Sequence, residues 1–399
     1  MHIQDPIHGY IELDELEQRL IGQRAFQRLR RIRQLGFSNL IYPSTTHTRF
    51  EHSLGATYLA GQFADSLGLD DERRRSLRCA ALLHDLGHGP FSHTSEAVMA
   101  RHGKSHEDFS AEKIRQDGTA ALLESYGVDP EQVIDLIKGR SELGQVVAGD
   151  IDVDRMDYLM RDSYYSGVAH GAIDDATIIR AAEFHEGGLV FRDKFRQALE
   201  GLLTARYLMI PTVYHHPSVV RAEKMMERAI DELVEDGLLS VDALAGMDDI
   251  DLKYRLRHTD NERAWYLNDC LDAREVFKTA LRWDEDDITR QGLEEIARNI
   301  GDERDIEEGI AEAAGLDPKH VLVNPPSIPE EKEIDIDILR RGERTSLDAV
   351  SRLTKAVRSA EWEKTALEVY CSRDAVEAVR SAAKEEFSDR RSPLSRFLE

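Results

Sequence analysis

Apolar residues recur at helical spacing through most of the first 235 positions. Leu16, Leu20, Phe26, Leu29 and Ile32 form one such set and predict a helix from Leu16 to about Leu35. Glu51 to Leu67 predicts a second helix and Asp71 to Leu86 a third. Within the third, Cys79-Ala80-Ala81-Leu82-Leu83 is apolar almost all round, as in a buried helix, and Gly87, Gly89 and Pro90 end it. Further helices are predicted near 92–102, 106–116, 130–138, 146–163 and 194–235. Ser105 and Asp108 have capping-box spacing, which sets His106 in the first turn of its helix. Ahead of these helices, Ile3 to Leu13 alternates loosely about Asp5-Pro6 and His8-Gly9 and reads as a short hairpin.

The pattern changes after about residue 286. A helix is followed by His320-Val321-Leu322-Val323 and the breaker Asn324-Pro325-Pro326. Glu333 to Leu339 alternates like a strand, 346–360 is helical, Thr365 to Cys371 alternates again, and 374–387 is helical. The fold class is therefore mainly α: an all-helical domain over residues 1–285, with a smaller α+β module over 286–399 appended to it. The helical body lacks the strand-then-glycine-loop unit that a P-loop or Rossmann nucleotide fold requires.

Composition narrows the function classes. Hydrophobic residues make up 41% of the 399, enough for a sizeable core, and no apolar run approaches the roughly 18 residues of a membrane span. The first residues lack the basic start and apolar stretch of a secretory signal, and the three cysteines, Cys79, Cys270 and Cys371, suggest neither a disulfide framework nor a cysteine metal knot. A cytoplasmic location without membrane partners is expected. The net charge is −24, and 12 of the 52 basic residues are lysine, a balance suited to high salt. Such a field disfavours nucleic acid as a partner, and a polyanionic substrate needs a locally positive or metal-bearing pocket.

Histidine supplies that possibility. Nine of the fifteen lie within the first 106 residues, and the segment His84-Asp85-Leu86-Gly87-His88-Gly89-Pro90-Phe91-Ser92-His93 concentrates them. An imidazole and a carboxylate closing an apolar helix are costly to bury unless something pairs with them, and a metal ion does so. A satisfied polar pair at a helix end is the plainer alternative. His52 begins another helix, and Asp150-Ile151-Asp152-Val153-Asp154 opens a third with a dense acidic cluster. On that helix Asp154, Tyr158 and Asp162 are spaced i, i+4, i+8 and form one stripe, flanked by Met156, Leu159 and Met160. Two histidines and two carboxylates make a nitrogen–oxygen set that suits Mn²⁺, Fe²⁺, Ni²⁺, Mg²⁺ or Zn²⁺ without choosing among them.

The order of these motifs resembles a known family. Arg49-Phe50-Glu51-His52-Ser53-Leu54-Gly55, the His84–His93 segment and Ile151-Asp152-Val153-Asp154-Arg155-Met156-Asp157-Tyr158 are similar to the deoxynucleoside triphosphate triphosphohydrolases of the HD superfamily. These include the bacterial dGTPases and the vertebrate sterile-alpha-motif HD dNTPase. Asp5-Pro6-Ile7-His8-Gly9, Phe26-Gln27-Arg28-Leu29-Arg30, Gln34-Leu35-Gly36 and Arg161-Asp162-Ser163 extend the resemblance, which runs in order over roughly residues 3–235. It implies an all-helical HD domain, a divalent metal on His52, His84, Asp85 and Asp154, and hydrolysis of a dNTP, dGTP among them, to deoxynucleoside and inorganic triphosphate. It also implies a catalytic His93–Glu96 pair, with His88 and His106 near the α-phosphate and the leaving oxygen. Arg49 and Arg155 would hold phosphates, and Gln34, Tyr158, Asp162 and Tyr214 would surround the sugar. Family habit further implies a homo-oligomer.

Two positions depart from the family pattern. Gly22 stands where the vertebrate enzyme carries an acidic residue that reads guanine, and Pro217 stands where a lysine is expected. Gln27 and Arg30 remain, within a basic cluster of Arg24, Arg28, Arg31 and Arg33, as candidates for a regulatory nucleotide; an ordinary basic helix face is the alternative. Two other functions fit the same metal set. One is a broader HD phosphohydrolase or phosphodiesterase on other nucleotides, and the other is a nucleotide sensor without turnover.

Overall fold

A computed structural model of the chain describes residues 1–116, 118–328, 336–360 and 365–389. Helices dominate it. The strands among the described residues are β1 (His2–Asp5), β2 (Gly9–Glu12), β3 (Ala182–His185), β4 (Gly188–Arg192), β5 (Lys278–Trp283), β6 (Val321–Asn324), β7 (Asp337–Arg340), β8 (Glu343–Ser346) and β9 (Leu367–Cys371). The expected N-terminal hairpin is the antiparallel pair β1–β2. No helix among the described residues is long and apolar enough to cross a membrane.

Contacts divide the chain into two interleaved units where the sequence anticipated a single cut at residue 285. The first takes residues 1–214, 239–254 and 332–355; the second takes 215–238, 255–331 and 356–399.

The first unit is built on the helices Arg49–Leu67 and Asp71–Leu83. Thr48 and Glu51 form a capping box at the start of the former, and Gly68 ends it in the left-handed conformation. Leu54, Leu59, Ala60 and Phe63 meet Leu77, Ala80, Leu82 and Leu83 in a core that also takes Met156 and Leu159 from the helix Val153–Ser166. Helices Arg49–Leu67, Asp71–Leu83 and His106–Arg115 fall close to their predicted spans, and Ser105 with Asp108 forms the expected capping box.

Several boundaries differ from expectation. The 16–35 helix is broken into Glu15–Gly22, Arg24–Arg28 and a short turn at Leu29–Arg31. The 146–163 helix starts only at Val153, capped by the Asp152 side chain. The 194–235 helix is interrupted by a wide turn at Ile210–Tyr214, where Pro211 lacks the amide that the helix needs, and Pro217 then starts a new helix. The body is also not wholly helical. β3 and β4 form a hairpin turned by Glu186-Gly187, both at positive φ (48° and 79°), the requirement of a tight two-residue turn. β7 and β8 return from far along the chain to complete this sheet in the order β3-β4-β7-β8, β7 running parallel to β4. Ile336, Ile338 and Leu347 thereby join the first unit's core, so the tail is not one appended module. The strand expected over Glu333–Leu339 lies partly outside the described residues.

The second unit packs a three-stranded antiparallel sheet, β5-β9-β6, against helices that include Glu303–Ala314 and Val376–Asp389. β5 carried no expectation from the sequence. Within this unit the fully buried Glu307 accepts hydrogen bonds from Arg228 Nη2 (2.9 Å), Arg263 Nη2 (2.6 Å) and the Val323 amide (2.9 Å). That saturation is what makes a buried carboxylate tolerable.

Candidate metal centre and its surroundings

Three helical elements of the first unit converge on one point. His52 comes from the first turn of Arg49–Leu67, His84 and Asp85 from the tight turn that closes Asp71–Leu83, and Asp154 from the first turn of Val153–Ser166. One ligand atom each of His52, His84 and Asp85 lie within 4.8 Å of one another. Asp154 Oδ1 is 2.8 Å from His52 Nε2 and 3.6 Å from His84 Nε2. The first three side chains are buried, and Asp154 is 37% exposed, which puts the open side of the cluster at Asp154.

The outer ring nitrogens decide what faces the centre. His52 Nδ1 donates to Asp157 Oδ2 at 2.8 Å, and His84 Nδ1 donates to the Ala81 carbonyl at 2.8 Å. Both Nε2 atoms therefore point lone pairs inward, 3.3 Å apart, with two carboxylates beside them. Two lone pairs at that distance repel unless a proton or a cation sits between them. Burial alone would lower the His52 imidazole, but hydrogen bonds to Asp154 and Asp157 and the charge of Asp85 raise it to about 10. Burial would raise Asp85, yet Arg49, His84 and His88 hold it well below the usual carboxylate range. The donor set and its appetite for positive charge fit a divalent ion on His52, His84, Asp85 and Asp154.

Behind His52 lies a shell that sequence reasoning did not single out. Asp157, fully buried, accepts from His8 Nε2 at 2.7 Å, from His52, and from Arg161 Nε and Nη2 at 2.8 and 3.0 Å. Arg161 Nη1 in turn donates to Asp5 Oδ2 at 2.8 Å. Gly55 permits this: a Cβ there would stand 1.8 Å from Asp157 Oδ1. Asp157 was legible in principle, since it lies three residues from Asp154 and so on an adjoining helix face.

Arg49 Nη1 donates to Asp85 Oδ2 at 2.7 Å and Nε to Ser92 Oγ at 2.8 Å, while its buried Nη2 has no partner. Phe91 and Ser92 hold positive φ (56° and 51°), a strained state for residues with a Cβ. They are pinned there by the Phe91 amide on Asp249 Oδ1 (2.8 Å), Ser92 Oγ on the Arg33 carbonyl (2.7 Å) and Phe91 stacked on Phe37. This loop carries His88 on one side and His93 on the other.

His88 Nε2 lies 3.3 Å from Asp85 Oδ1, and its ring stacks on His106 with centroids 4.0 Å apart. Burial, then the charges of Arg49 and His106, keep its pKa well below that of an ordinary histidine. Glu96 is shared: His93 Nδ1 donates to it at 3.2 Å, and His106 Nδ1 donates to its other oxygen. Burial would raise Glu96, but these two hydrogen bonds hold it far below its usual range. His93 is 74% exposed, so its free ring edge meets solvent.

The predicted sugar-side residues also gather. Tyr214 Oη donates to Asp162 Oδ2 at 2.9 Å and Tyr158 packs edge-on to Tyr214. The other Asp162 oxygen accepts from His47 Nε2 at 2.7 Å; His47 is buried, stacks on Tyr165, and was not anticipated. Gln34 is buried beside it, its amide on the His47 carbonyl and its Oε1 without a partner. Arg155 is committed to Asp150, donating to its carbonyl and lying 3.3 Å from its carboxylate. Of the basic cluster, Arg28 is buried on the Met247 and Leu86 carbonyls and Arg31 pairs with Asp248. Arg30 donates to Gln27 Oε1 at 3.0 Å and lies 3.5 Å from the centroid of the Phe50 ring.

Comparison with known proteins places these features in sequence families. The HD domain family matches residues 49–162, and the HD associated region matches 173–394. An uncharacterized protein of Methanocaldococcus jannaschii is 35% identical over 95% of this chain and 80% of its own length. The deoxynucleoside triphosphate triphosphohydrolase SAMHD1 of Homo sapiens is 32% identical over 60% of this chain, which spans only 44% of that protein. The crystal structure of a phosphohydrolase from Bacteroides thetaiotaomicron superposes with a TM-score of 0.74 at 27% identity, covering 94% of this chain and all of that one.

Proposed function

The chain belongs to the HD superfamily, joining an HD domain to an HD associated region, and from that premise we propose that it is a metal-dependent phosphohydrolase that converts dNTPs to deoxynucleoside and inorganic triphosphate. The phosphohydrolase name of the Bacteroides structure and the human relative's name support the reaction class. The observation that carries the substrate class is the stripe on one helix face. Asp154, at the metal cluster, Tyr158 and Asp162 follow one another at about 6 Å per four-residue step, with Tyr214 bonded to the last. Phosphate at one end and sugar at the other would span that face, and the two tyrosines would crowd a 2′-hydroxyl.

In this reading His52, His84, Asp85 and Asp154 hold the ion. When bound, it supplies Lewis acidity toward a phosphoryl oxygen and eases deprotonation of water. Arg49 keeps Asp85 oriented and offers its unpartnered Nη2 to a phosphate oxygen. Arg155 and Gln34 supply further contacts. Glu96 fixes His93 and His106, either of which, with His88 nearby, can carry a proton to the 5′ oxygen as the phosphorus–oxygen bond breaks. Proton carriers of this kind contribute typically about 10²- to 10⁴-fold. Gln27 and Arg30 extend the proposal to a regulatory nucleotide at a surface between copies of the chain.

The test is to load the protein with Mn²⁺, offer each dNTP with and without GTP, and separate products by anion exchange, with Asp154→Ala alongside. Deoxynucleoside with intact triphosphate, absent in the variant, is the expected result. Orthophosphate or pyrophosphate release moves the substrate elsewhere in the superfamily, and no turnover with metal bound leaves a sensor.

A further inference from the structure

We propose that Glu96, His106 and Glu107 form a second divalent-cation site, suited to Zn²⁺, whose occupancy switches the reaction off. One ligand atom from each lies within 4.8 Å of the others, and none belongs to the cluster of His52, His84, Asp85 and Asp154. Both nitrogens of His106 face carboxylates: Nδ1 donates to Glu96, and Nε2 is 3.4 Å from Glu107 Oε1. Two carboxylates around one imidazole leave a net negative charge in either protonation state of the ring, which a divalent ion removes.

The geometry is held from outside the cluster. The capping box of Ser105 and Asp108 fixes the helix start that carries His106 and Glu107, and Lys138 braces Asp108 at 2.5 Å. Glu96 is set one turn into its own helix. The side chains are 22–39% exposed, and Glu107 borders an open cavity of about 290 Å³ that Ser105, Lys138 and Arg140 also line. The partial exposure of the three side chains leaves an ion's remaining positions to water. One imidazole with two carboxylates favours Zn²⁺ over Mg²⁺, which prefers oxygen donors and its own water shell.

The inhibition, unlike the site itself, rests on the proton-carrier role proposed above. A cation on Glu96 and His106 replaces the hydrogen bond between them and takes the lone pairs that would accept and pass a proton. Glu107 lies beside the outer nitrogen of His106 and carries no proton to the leaving oxygen itself. Its replacement by glutamine, at a partly exposed first-turn position, weakens the second site, and zinc inhibition of that variant is read against its own zinc-free turnover.

The experiment is equilibrium dialysis of metal-stripped protein against Zn²⁺ from nanomolar to millimolar, with zinc per chain counted by mass spectrometry. Wild type should bind two ions, Glu107→Gln should lose affinity for one of them by at least roughly tenfold, and Asp154→Ala should retain that one. Turnover of the Mn²⁺-loaded wild type should collapse over the range in which the second zinc binds, and Glu107→Gln should resist. One zinc per wild-type chain, or a second zinc bound equally well by Glu107→Gln, overturns the site. Two ions with unimpaired turnover overturns the switch. If no nucleotide is hydrolysed at all, the zinc counts still decide the site, and the failure belongs to the proposed reaction.

Discussion

Gly55→Ala is the substitution that most directly probes how the candidate metal ligands are held. In mid-helix this change ordinarily gains about 1 kcal/mol. Here the new Cβ would stand 1.8 Å from Asp157 Oδ1, 2.6 Å from its Cγ and 2.5 Å from Arg161 Nη2, where ordinary contact begins near 3.4 Å. Asp157 must retreat by more than an ångström, yet its oxygens are tied to His8, His52 and Arg161 in a fully buried network. Breaking a buried ion pair costs about 3–5 kcal/mol and overpacking about 1–3 kcal/mol. After the helical gain, the expected loss is roughly 3–7 kcal/mol, a fall in melting temperature of several degrees or more. His52 also loses the acceptor that fixes its tautomer, so metal affinity should drop about 10- to 100-fold. Thermal melts by circular dichroism and Mn²⁺ binding by dialysis measure the two effects. Gly201→Ala, in the helix Arg196–Met209, is the control: nothing lies within 4 Å of its Cβ, and it should stabilise by about 0.5–1 kcal/mol. A Gly55→Ala protein that melts no lower than wild type and binds metal normally would mean that Asp157 is free to move aside.

Glu96→Gln should leave the ion expected on His52, His84, Asp85 and Asp154 in place and lower kcat by about 10²- to 10⁴-fold, since His93 and His106 lose their shared carboxylate; an unaltered rate in steady-state assays removes Glu96 from the mechanism. Tyr214→Phe deletes the donor to Asp162 and should cost about 1–3 kcal/mol in denaturant melts while raising KM for a dNTP without loss of metal, and an unchanged KM argues against a sugar contact there. Burial, then Glu227, raises Glu223 from an ordinary 4.5 to about 8. An acid so raised destabilises the fold increasingly as pH climbs from about 4.5 through 8. Glu223→Gln should therefore raise the melting temperature slightly at pH 5 and distinctly more at pH 9, and an equal gain at both would contradict the assignment.

Much of the candidate site is legible in the amino-acid sequence alone, because its residues sit at helix ends. An apolar run such as Cys79–Leu83 announces a buried helix, and the His84-Asp85 pair closing it stands out against that background. The features that are not legible depend on three-dimensional phase or on distance along the chain. Asp150, Asp152, Asp154 and Asp157 look alike in sequence; helix phase sets Asp154 and Asp157 on adjoining faces, and only packing against Gly55 and His52 shows what Asp157 meets. His47 lies in a loop without periodicity, so nothing local marks it as the partner of Asp162. The β3–β4 hairpin is two short strands whose apolar residues do not separate strand from buried helix. The return of β7 to β4 cannot be inferred from local patterning, since the pairing of Phe191 with Ile338 is set by tertiary fit alone.

That pairing has a consequence for how the protein is made. A ribosome delivers the helices of the candidate metal centre and β4 long before it delivers β7, and at roughly 5–20 residues per second the wait is on the order of ten seconds. For that interval one edge of β4, a strand that is largely buried in the finished fold, lacks its partner, and Ile336, Ile338 and Leu347 have yet to reach the core. The helices that carry His52, His84, Asp85 and Asp154 thus emerge well before the sheet of their own unit is closed, and a message truncated before codon 338 would yield a product with those helices present and an open sheet edge inviting association.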